Sequence, residues 1–463
     1  MSSQSVVPIP ADSPFSLANI PFGIFSTQSD PIPRPGVAIG EHILDLKVLA
    51  FEGIFVNHGI SCDVLKHTTL NAFAALGRPI TSSVREYIQS LLSASSTSPL
   101  HSNPSLLERC IVKQTEATMH LPFDIGDFTD FTSSTTHAKN THSGHGHGDV
   151  NVDMFDPPRA APGRASTILP SGTPVVRPVG HLPPQNNLSS DLPRRSSEGS
   201  VLAPTNELDV ELELAFFVGV PTEHFERVPV EKAEEHIFGV VLLNDWSGAF
   251  YFRFSIFDLR TATPISCISP LVSVPFSDGL GVYGLYASIA RDIQGPETLP
   301  FGAFNAKNFA STISPWVVTL DALEPFKVPH DIRKVPSYLA DKGDMTYDIS
   351  VSMEVIADGS MMDQRETGAA RSSLRNSYWT FRQMLAFHTL SGCRMRTGDL
   401  IGTGTLSGED QTSLCSLIEQ RKHFPRRMFL QDMDEVIFRG WCGTPQRGVG
   451  FGECCGIVLP ARL

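Results

Sequence analysis

Residues Asp209 to Val220 read Asp-Val-Glu-Leu-Glu-Leu-Ala-Phe-Phe-Val-Gly-Val, and this stretch decides the fold. Acidic and apolar residues alternate over its first six positions, and the rest is apolar. Because successive side chains of a β-strand point to opposite faces, the pattern predicts a strand with Asp209, Glu211 and Glu213 on one face. Neighbours on that face lie roughly 7 Å apart, so two carboxylates can converge on one cation. The alternative is an edge strand whose solvated acidic face prevents aggregation.

A second apolar run, from Phe238 to Trp246, predicts a buried strand that carries Asp245 near its end. A carboxylate at the end of a buried strand costs free energy unless it is paired with a positive group. Asp245 is therefore a second candidate for the same cation site.

The composition describes a globular protein rather than a disordered one, with 463 residues, 41% hydrophobic and 18% charged. This length favours two domains. The formal net charge of −13 argues against nucleic acid as a partner. No long apolar run is free of charge or proline, so we expect no membrane span. The first sixteen residues have no apolar signal core, and the eight cysteines are scattered, so we expect reduced thiols in a cytoplasmic protein.

Local patterns predict further elements on both sides of the central strand. Residues 36–46 predict two strands around a turn at Gly40, and Ser83–Ser93 and Ala369–Ser391 have helical spacing. Residues 124–143 are rich in hydroxyls and predict a loop, residues 157–171 look irregular, and the glycines of 398–408 predict a turn-rich loop. Residues 428–442 predict two strands around a turn.

Several short motifs, taken in order, resemble those of the fumarylacetoacetate hydrolase family. They are Pro21–Ser29, Gly36–Gly40, Asp127–Phe131 with His137, Gly163–Ser166, Leu208–Glu213, Asn244–Ser247, Arg291–Gln294, Ser314–Trp316, Gly404–Gly408, Asp432–Val436 and Gly450–Gly452. The resemblance covers most of the chain. It implies a mainly β fold with some α-helix, in which residues 15–121 form an SH3-like barrel domain and residues 122–463 form a mixed β-sandwich roll. It also implies a homodimer that acts in tyrosine and phenylalanine catabolism.

The resemblance implies a metal held by four carboxylates. They fall at Asp130, Glu211, Glu213 and Asp245, and Lys307 and Ser311 match positions beside the metal. All-oxygen ligation suits a hard cation such as calcium or magnesium, Ca²⁺ or Mg²⁺. This implication agrees with the cation site expected from the alternating strand.

The implied reaction is the hydrolysis of a carbon–carbon bond in a small 1,3-diketone, with fumarylacetoacetate as the family's substrate. A histidine oriented by a carboxylate can deprotonate water near neutral pH, and the family's pair matches His137 and Glu419. The oxyanion needs cationic or N–H donors. The family's donors match Arg291, Gln294 and Lys307, and Thr405, Arg291 and Gln294 match substrate contacts.

The pocket for the substrate carboxylates departs from the family pattern. Thr132, Ala161 and Thr298 stand where the family has tyrosines, and a substrate-binding arginine has no clear match. Each lost charge-assisted hydrogen bond is worth about 1.5–3 kcal/mol. Two alternatives therefore stay open, namely a paralogue that cleaves another acylpyruvate or 1,3-diketone, and an inactive dimeric scaffold.

Residues 248–290 form an insertion relative to the family pattern and separate Asp245 from Arg291. They contain no lysine and no glutamate, and the matches resume cleanly on both sides. We interpret the segment as a translated intron, which would impair folding or activity if present. The alternative is a true insertion that forms an extra lobe, and the spliced transcript across Ser247 to Arg291 distinguishes the two.

Overall fold

The structure is a computed structural model, and it describes residues 5–56, 60–94, 99–142, 155, 157–182, 201–248, 304–330, 335–341, 343–357, 368–424, 429–444 and 448–462. The insertion beyond Gly248 lies outside these residues, as do Arg291, Gln294 and Thr298. The predictions that concern them therefore stay predictions.

The N-terminal part of the described chain is an antiparallel sheet covered by helices. Its strands are β1 Phe22–Thr27, β2 Arg34–Ile39, β3 His42–Asp45, β4 Ile111–Lys113 and β5 Ala117–His120, in the order β4-β3-β2-β1-β5. Its helices are α1 Leu46–Phe51, α2 Asn71–Ala74, α3 Arg78–Leu92, α4 Pro99–Ser102 and α5 Pro104–Cys110. The predicted turn falls at Gly40, whose φ of 58° favours glycine.

The remaining strands belong to the C-terminal part. They are β6 Phe128–Phe131, β7 Ala160–Gly163, β8 Ile168–Pro170, β9 Val175–Val176, β10 Val179–Leu182, β11 Val201–Pro204, β12 Leu208–Asp209, β13 Leu212–Val218, β14 Ile237–Asp245, β15 Ser247–Gly248, β16 Ser311–Ile313, β17 Val318–Thr319, β18 Lys327–Pro329, β19 Met345–Tyr347, β20 Ser350–Ile356, β21 Ala369–Ser373, β22 Leu400–Gly402, β23 Glu435–Cys442 and β24 Val449–Leu459. The helices are α6 Thr135–His142, α7 Leu320–Leu323, α8 Phe381–His388 and α9 Leu417–His423. Residues Val230–His236 and Asn305–Lys307 form 3₁₀ helices.

Two larger sheets pack against each other in this part. One has the order β7-β6-β22-β13-β14-β16-β8 with β17 on β14, and the other has the order β21-β20-β23-β24-β9. Leu214 and Phe216 of β13 share one buried cluster with Val351 and Met353 of β20. The decisive strand β13 is central, since β14 and β22 flank it, and the edge-strand alternative is wrong. The predicted mainly β fold with an N-terminal and a C-terminal part is confirmed.

The opposite face of β13 is also buried, and this explains why the run is apolar throughout. Ala215 and Phe217 lie in the same cluster as the apolar side chains of the N-terminal part. Phe217 stacks on Phe123 with ring centroids 4.4 Å apart, and Phe238 packs against Phe22 with centroids 6.1 Å apart. One continuous core therefore joins the N-terminal sheet to the face of β13 that carries Ala215 and Phe217.

Several predicted element boundaries were wrong. Residues 124–142 contain β6 and α6, and residues 157–171 contain β7 and β8, because strand pairing and tertiary contacts stabilise elements whose own periodicity is weak. Helix α3 begins at Arg78, since Pro79 favours the first turn. Residues 369–391 form β21 before α8, which begins at the capping box of Thr380. Of residues 429–442, only the part from Glu435 onward is a strand.

Two expectations from composition also bear on the described residues. None of their helices is both long and apolar enough to cross a membrane. Their cysteines, at positions 62, 110, 393, 415, 442, 454 and 455, are free thiols, which agrees with the expectation of reduced cysteines.

The shared core yields a prediction about stability. We expect Phe217→Ala to lower the free energy of unfolding by about 3–5 kcal/mol, because it empties a site between the two parts of the chain. Urea unfolding, followed by circular dichroism and fluorescence, measures the change. The control is Phe225→Ala, at a side chain that is 84% exposed, which we expect to shift stability by less than about 0.5 kcal/mol. A similar small shift at Phe217 would contradict the shared core.

Candidate active site

Four carboxylates from three strand regions meet at one end of the central sheet. Asp130 lies in β6, Glu213 in β13 and Asp245 at the end of β14, while Glu211 immediately precedes β13. One oxygen from each lies within 4.8 Å of the others. Parallel pairing of β6 with β22 sets Asp130 opposite Gly402, where a Cβ atom would come 2.9 Å from Asp130 Oδ1. The glycine thus leaves room for the convergence of the acids.

Positive and polar donors compensate part of this charge. The Lys307 ammonium donates to Glu211 Oε2 and, at 2.6 Å, to Asp245 Oδ2. Ser311, the cross-strand neighbour of Asp245, donates to Asp245 Oδ1 at 3.1 Å. The Gly404 amide donates to Glu213 Oε2 at 3.2 Å. Lys307 and Ser311 therefore lie beside the acids, and their predicted place beside a metal stays a prediction.

Two of the other carboxylate oxygens indicate that the residues present fit a divalent cation. Asp130 Oδ1 and Glu213 Oε1 are buried and have no hydrogen-bond partner among the described residues. Burial, followed by the charge of Asp245, raises the pKa of Asp130 to about 7. Burial and then the Asp130 charge raise the pKa of Glu213 well above its usual value. Four oxygen donors with excess negative charge are the set that calcium or magnesium prefers.

Asp209 does not join this cluster, although the alternating pattern places it on the same strand face. The strand is interrupted between β12 and β13, at Val210 and Glu211, so the two-residue periodicity does not extend from Glu211 back to Asp209. The Asp209 carboxylate instead accepts hydrogen bonds from the amides of Leu417 and Ile418 in α9. The predicted shared face is thus correct for Glu211 and Glu213 only.

A histidine and a glutamate from distant parts of the chain form a buried hydrogen-bonded pair. His137 lies in the first turn of α6, seven residues after Asp130, and Glu419 lies in α9. The distance from His137 Nδ1 to Glu419 Oε2 is 2.8 Å. Since this hydrogen bond uses Nδ1–H, the basic lone pair of the neutral imidazole is on Nε2.

The loop of residues 403–407 connects the acids to the histidine. Gly404 bonds to Glu213, while Ser407 donates to Glu419 Oε2 at 2.7 Å. Thr405, a predicted substrate contact, is buried and lies between Gly404 and Ser407 in the chain. Gly404 has a φ of 74°, and a Cβ there would lie 2.0 Å from the Phe131 carbonyl oxygen, so the loop requires glycine.

Comparison with known proteins identifies the family of the chain. Residues 18–122 match the family described as Fumarylacetoacetase N-terminal, and residues 128–458 match Fumarylacetoacetate (FAA) hydrolase C-terminal. The chain belongs to the fumarylacetoacetate hydrolase family. The protein named Fumarylacetoacetase from Emericella nidulans is 39% identical over 98% of this chain and 97% of its own. Those named Fumarylacetoacetase from Rattus norvegicus and Homo sapiens are 39% and 37% identical, and each comparison covers 99% of this chain, with 99% and 100% of theirs.

In this member of the family, further polar residues surround Glu419 that the motifs did not single out. Ser416 donates to Glu419 Oε2 at 2.7 Å, and Asn140 donates to Glu419 Oε1 at 3.0 Å. Burial alone would raise the pKa of Glu419, but the charge of His137 and the hydrogen bonds from His137, Ser407 and Asn140 outweigh it, so the pKa is lowered. Asn140 follows His137 by three residues on one face of α6, but the weak periodicity of residues 124–142 hides this spacing in the sequence. Ser416 has no comparable signal in the sequence.

The raised pKa of Asp130 predicts how the stability of this protein without metal depends on pH. The pKa of Asp130 is raised in the fold, so its stabilising contribution is present below the unfolded value of 3.8 and is lost as pH rises through about 7. We therefore expect Asp130→Asn to stabilise the protein, once a chelator has removed any metal, by a few kcal/mol at about pH 8. At about pH 4 the substitution should change stability hardly at all. Urea unfolding across this range measures the difference.

The control for this experiment is Glu409→Gln, at an exposed acid outside the cluster. It should follow the wild type at every pH. A gap between wild type and Asp130→Asn that does not change with pH would contradict the raised pKa. Added Ca²⁺ or Mg²⁺ should reverse the order of stability, because only the wild type keeps four carboxylates.

Proposed function

We propose that the protein hydrolyses a carbon–carbon bond of a 1,3-diketone, with fumarylacetoacetate as substrate and fumarate and acetoacetate as products. The relatives named Fumarylacetoacetase support this substrate. The observation that carries the proposal is that one loop bonds to two buried groups of residues. These are an acid cluster fit for a divalent cation and a His137–Glu419 pair, and residues 403–407 contact both.

In this proposal His137 is the general base. Its Nε2 takes a proton from water, and the hydroxide oxygen forms a bond to the substrate carbonyl carbon. Glu419 holds the ring through Nδ1 and stabilises the imidazolium that forms. Its lowered pKa keeps it a carboxylate, which suits this role because a neutral acid would not compensate the imidazolium charge.

Asp130, Glu211, Glu213 and Asp245 would hold the divalent cation, for which we propose calcium or magnesium. When bound, such a cation supplies Lewis-acid polarisation of substrate oxygens. Lys307 contacts two of these acids and carries a positive charge next to the site. We propose that it also donates to the oxyanion, together with Arg291 and Gln294, whose positions lie outside the described residues.

Collapse of the tetrahedral adduct completes the reaction. The carbon–carbon bond breaks, its electron pair passes to the departing carbon, and that carbon takes a proton. The proton that His137 accepted from water balances this step, so the net reaction consumes one water. Thr405 is proposed to contact the substrate, since it lies in the loop between the two parts of the site.

The domain division, the homodimer and the cytoplasmic location are parts of the same proposal. The division at residues 15–121 and 122–463 is supported by the matched ranges of 18–122 and 128–458. The homodimer and the location rest on the family resemblance and on the reduced cysteines.

The base assignment predicts the effect of removing the imidazole. We expect His137→Ala to lower kcat roughly 10²–10⁴-fold, because general base catalysis contributes about that much. Loss of diketone absorbance measures turnover, and calorimetric titration with Mg²⁺ or Ca²⁺ should give nearly the wild-type metal affinity. His101→Ala, at an exposed histidine in α4, is the matched control and should be fully active. Full activity in His137→Ala would rule out this base.

A second candidate substrate is an acylpyruvate or another 1,3-diketone without the second carboxylate. The observation that favours it is the size of the side chains near Asp130. Ala161 of β7 is exposed and lies directly across from Asp130, so their side chains are on the same face of the sheet. Thr132 lies two residues after Asp130, directly after β6. Neither offers the phenol that the family pattern has.

This second candidate is tested by restoring one phenol. If fumarylacetoacetate is the substrate, we expect Ala161→Tyr to lower its KM roughly tenfold with little change in kcat, because one charge-assisted hydrogen bond to a carboxylate is worth about 1.5–3 kcal/mol. Ala160→Tyr is the control, since Ala160 is on the opposite face of β7. A wild-type kcat/KM that is higher for an acylpyruvate with a single carboxylate than for fumarylacetoacetate would favour the second candidate instead.

A further inference from the structure

A buried carboxylate outside the acid cluster connects the two parts of the site. Asp209 of β12 is 0% exposed. Its Oδ1 accepts from the Leu417 amide at 2.7 Å and from the Val210 amide at 2.8 Å, and its Oδ2 accepts from the Ile418 amide at 3.2 Å. Leu417 and Ile418 are the first two residues of α9, the helix that carries Glu419.

The helix needs these bonds because its own N-terminal residue does not supply them. Ser416 is in the N-cap position, but its side chain accepts no hydrogen bond from an amide of the first turn. Its hydroxyl donates to Glu419 Oε2 at 2.7 Å instead. A serine at this position usually accepts from an amide of the first turn. Here Asp209 bonds the first-turn amides, and Ser416 contributes to the environment of Glu419.

The same segment of chain continues directly into the acid cluster. Glu211, two residues after Asp209, forms a β-bridge with Ser416. The Leu212 amide donates to the Cys415 carbonyl oxygen at 3.0 Å. Residues 209–212 thus run alongside residues 415–418. The first segment carries Glu211 of the acid cluster, and the second contains the start of α9, the helix of Glu419.

We propose that Asp209 is a positioning residue that fixes the His137–Glu419 pair relative to the cation-binding acids. The proposal rests on the function proposed above. Asp209 touches neither the substrate nor the reacting atoms, and it acts through α9, Glu419 and then His137. A displacement of about 1 Å at a catalytic group can cost 10²-fold in rate, so the start of α9 must be held closely.

The test replaces the carboxylate with the isosteric amide, Asp209→Asn, in the full-length, metal-loaded protein. Asparagine keeps one acceptor oxygen, but its amide N–H₂ would face a backbone N–H, so one of the two bonds to α9 is lost. We expect kcat to fall roughly 10- to 100-fold, with KM and metal affinity nearly unchanged. We also expect the far-downfield proton NMR signal of the His137 Nδ1–H···Glu419 hydrogen bond to shift or broaden. Its absence in His137→Ala assigns that signal.

The matched control is Asp45→Asn in the N-terminal part. Asp45 is also buried and caps a helix, accepting from the Val48 amide at 3.1 Å. The Asp45→Asn variant should be less stable than the wild type but should keep the wild-type kcat and the NMR signal. If Asp209→Asn behaves in the same way, Asp209 has only a structural role and the proposal is wrong. If that variant does not fold, Asp209→Ser, which is smaller and keeps one acceptor, is measured against the same two outcomes.

The failure of the proposed function would look different. A metal-loaded wild type that turns over no 1,3-diketone would overturn the proposed function. The NMR signal would still test Asp209 in that case, and an unchanged signal in Asp209→Asn would overturn the positioning role independently. An active wild type together with an active Asp209→Asn would overturn the positioning role alone.

Discussion

The burial of four carboxylates within one small volume is the constraint on which the rest of this structure depends. Like charges in a buried site repel each other strongly, so the fold must supply compensation. Lys307, Ser311 and the Gly404 amide compensate three of the four. Asp130 Oδ1 and Glu213 Oε1 have no hydrogen-bond partner among the described residues, and burial together with the neighbouring acids raises the pKa of both carboxyls. A protein that keeps such a cluster sacrifices stability in the metal-free state for cation binding.

The central strands can carry this cluster because both of their faces are buried. One face of β13 packs on the second C-terminal sheet, and the other packs on the N-terminal part. A strand held on both faces has little freedom to relax when charge repulsion acts at its end. The N-terminal part therefore supports the site because it covers one face of β13 and β14. It contributes none of the described site residues.

The sequence alone predicted the chemistry of this site better than its secondary structure. Glu211, Glu213 and Asp245 follow from strand patterning, because burial and two-residue alternation are local properties. Asp130 and His137 follow only from motif resemblance, since β6 and α6 depend on parallel pairing with β22 and on bonds to residues 403–407. The error at Asp209 has the same origin. A break in a strand is set by its neighbours, here residues 415–418, and those are distant in the chain.

Three groups of buried carboxylates in one region have different roles because they receive different numbers of donors. Glu419 accepts from His137, Ser407, Ser416 and Asn140, and its pKa is lowered despite complete burial. Asp209 accepts from backbone amides at the start of a helix, where the helix dipole also favours an anion. Asp130 and Glu213 receive too few donors and keep raised pKa values. The acids that receive too few donors are thus the ones we propose to bind the cation, while Glu419, whose pKa is lowered, accepts from the imidazole of His137.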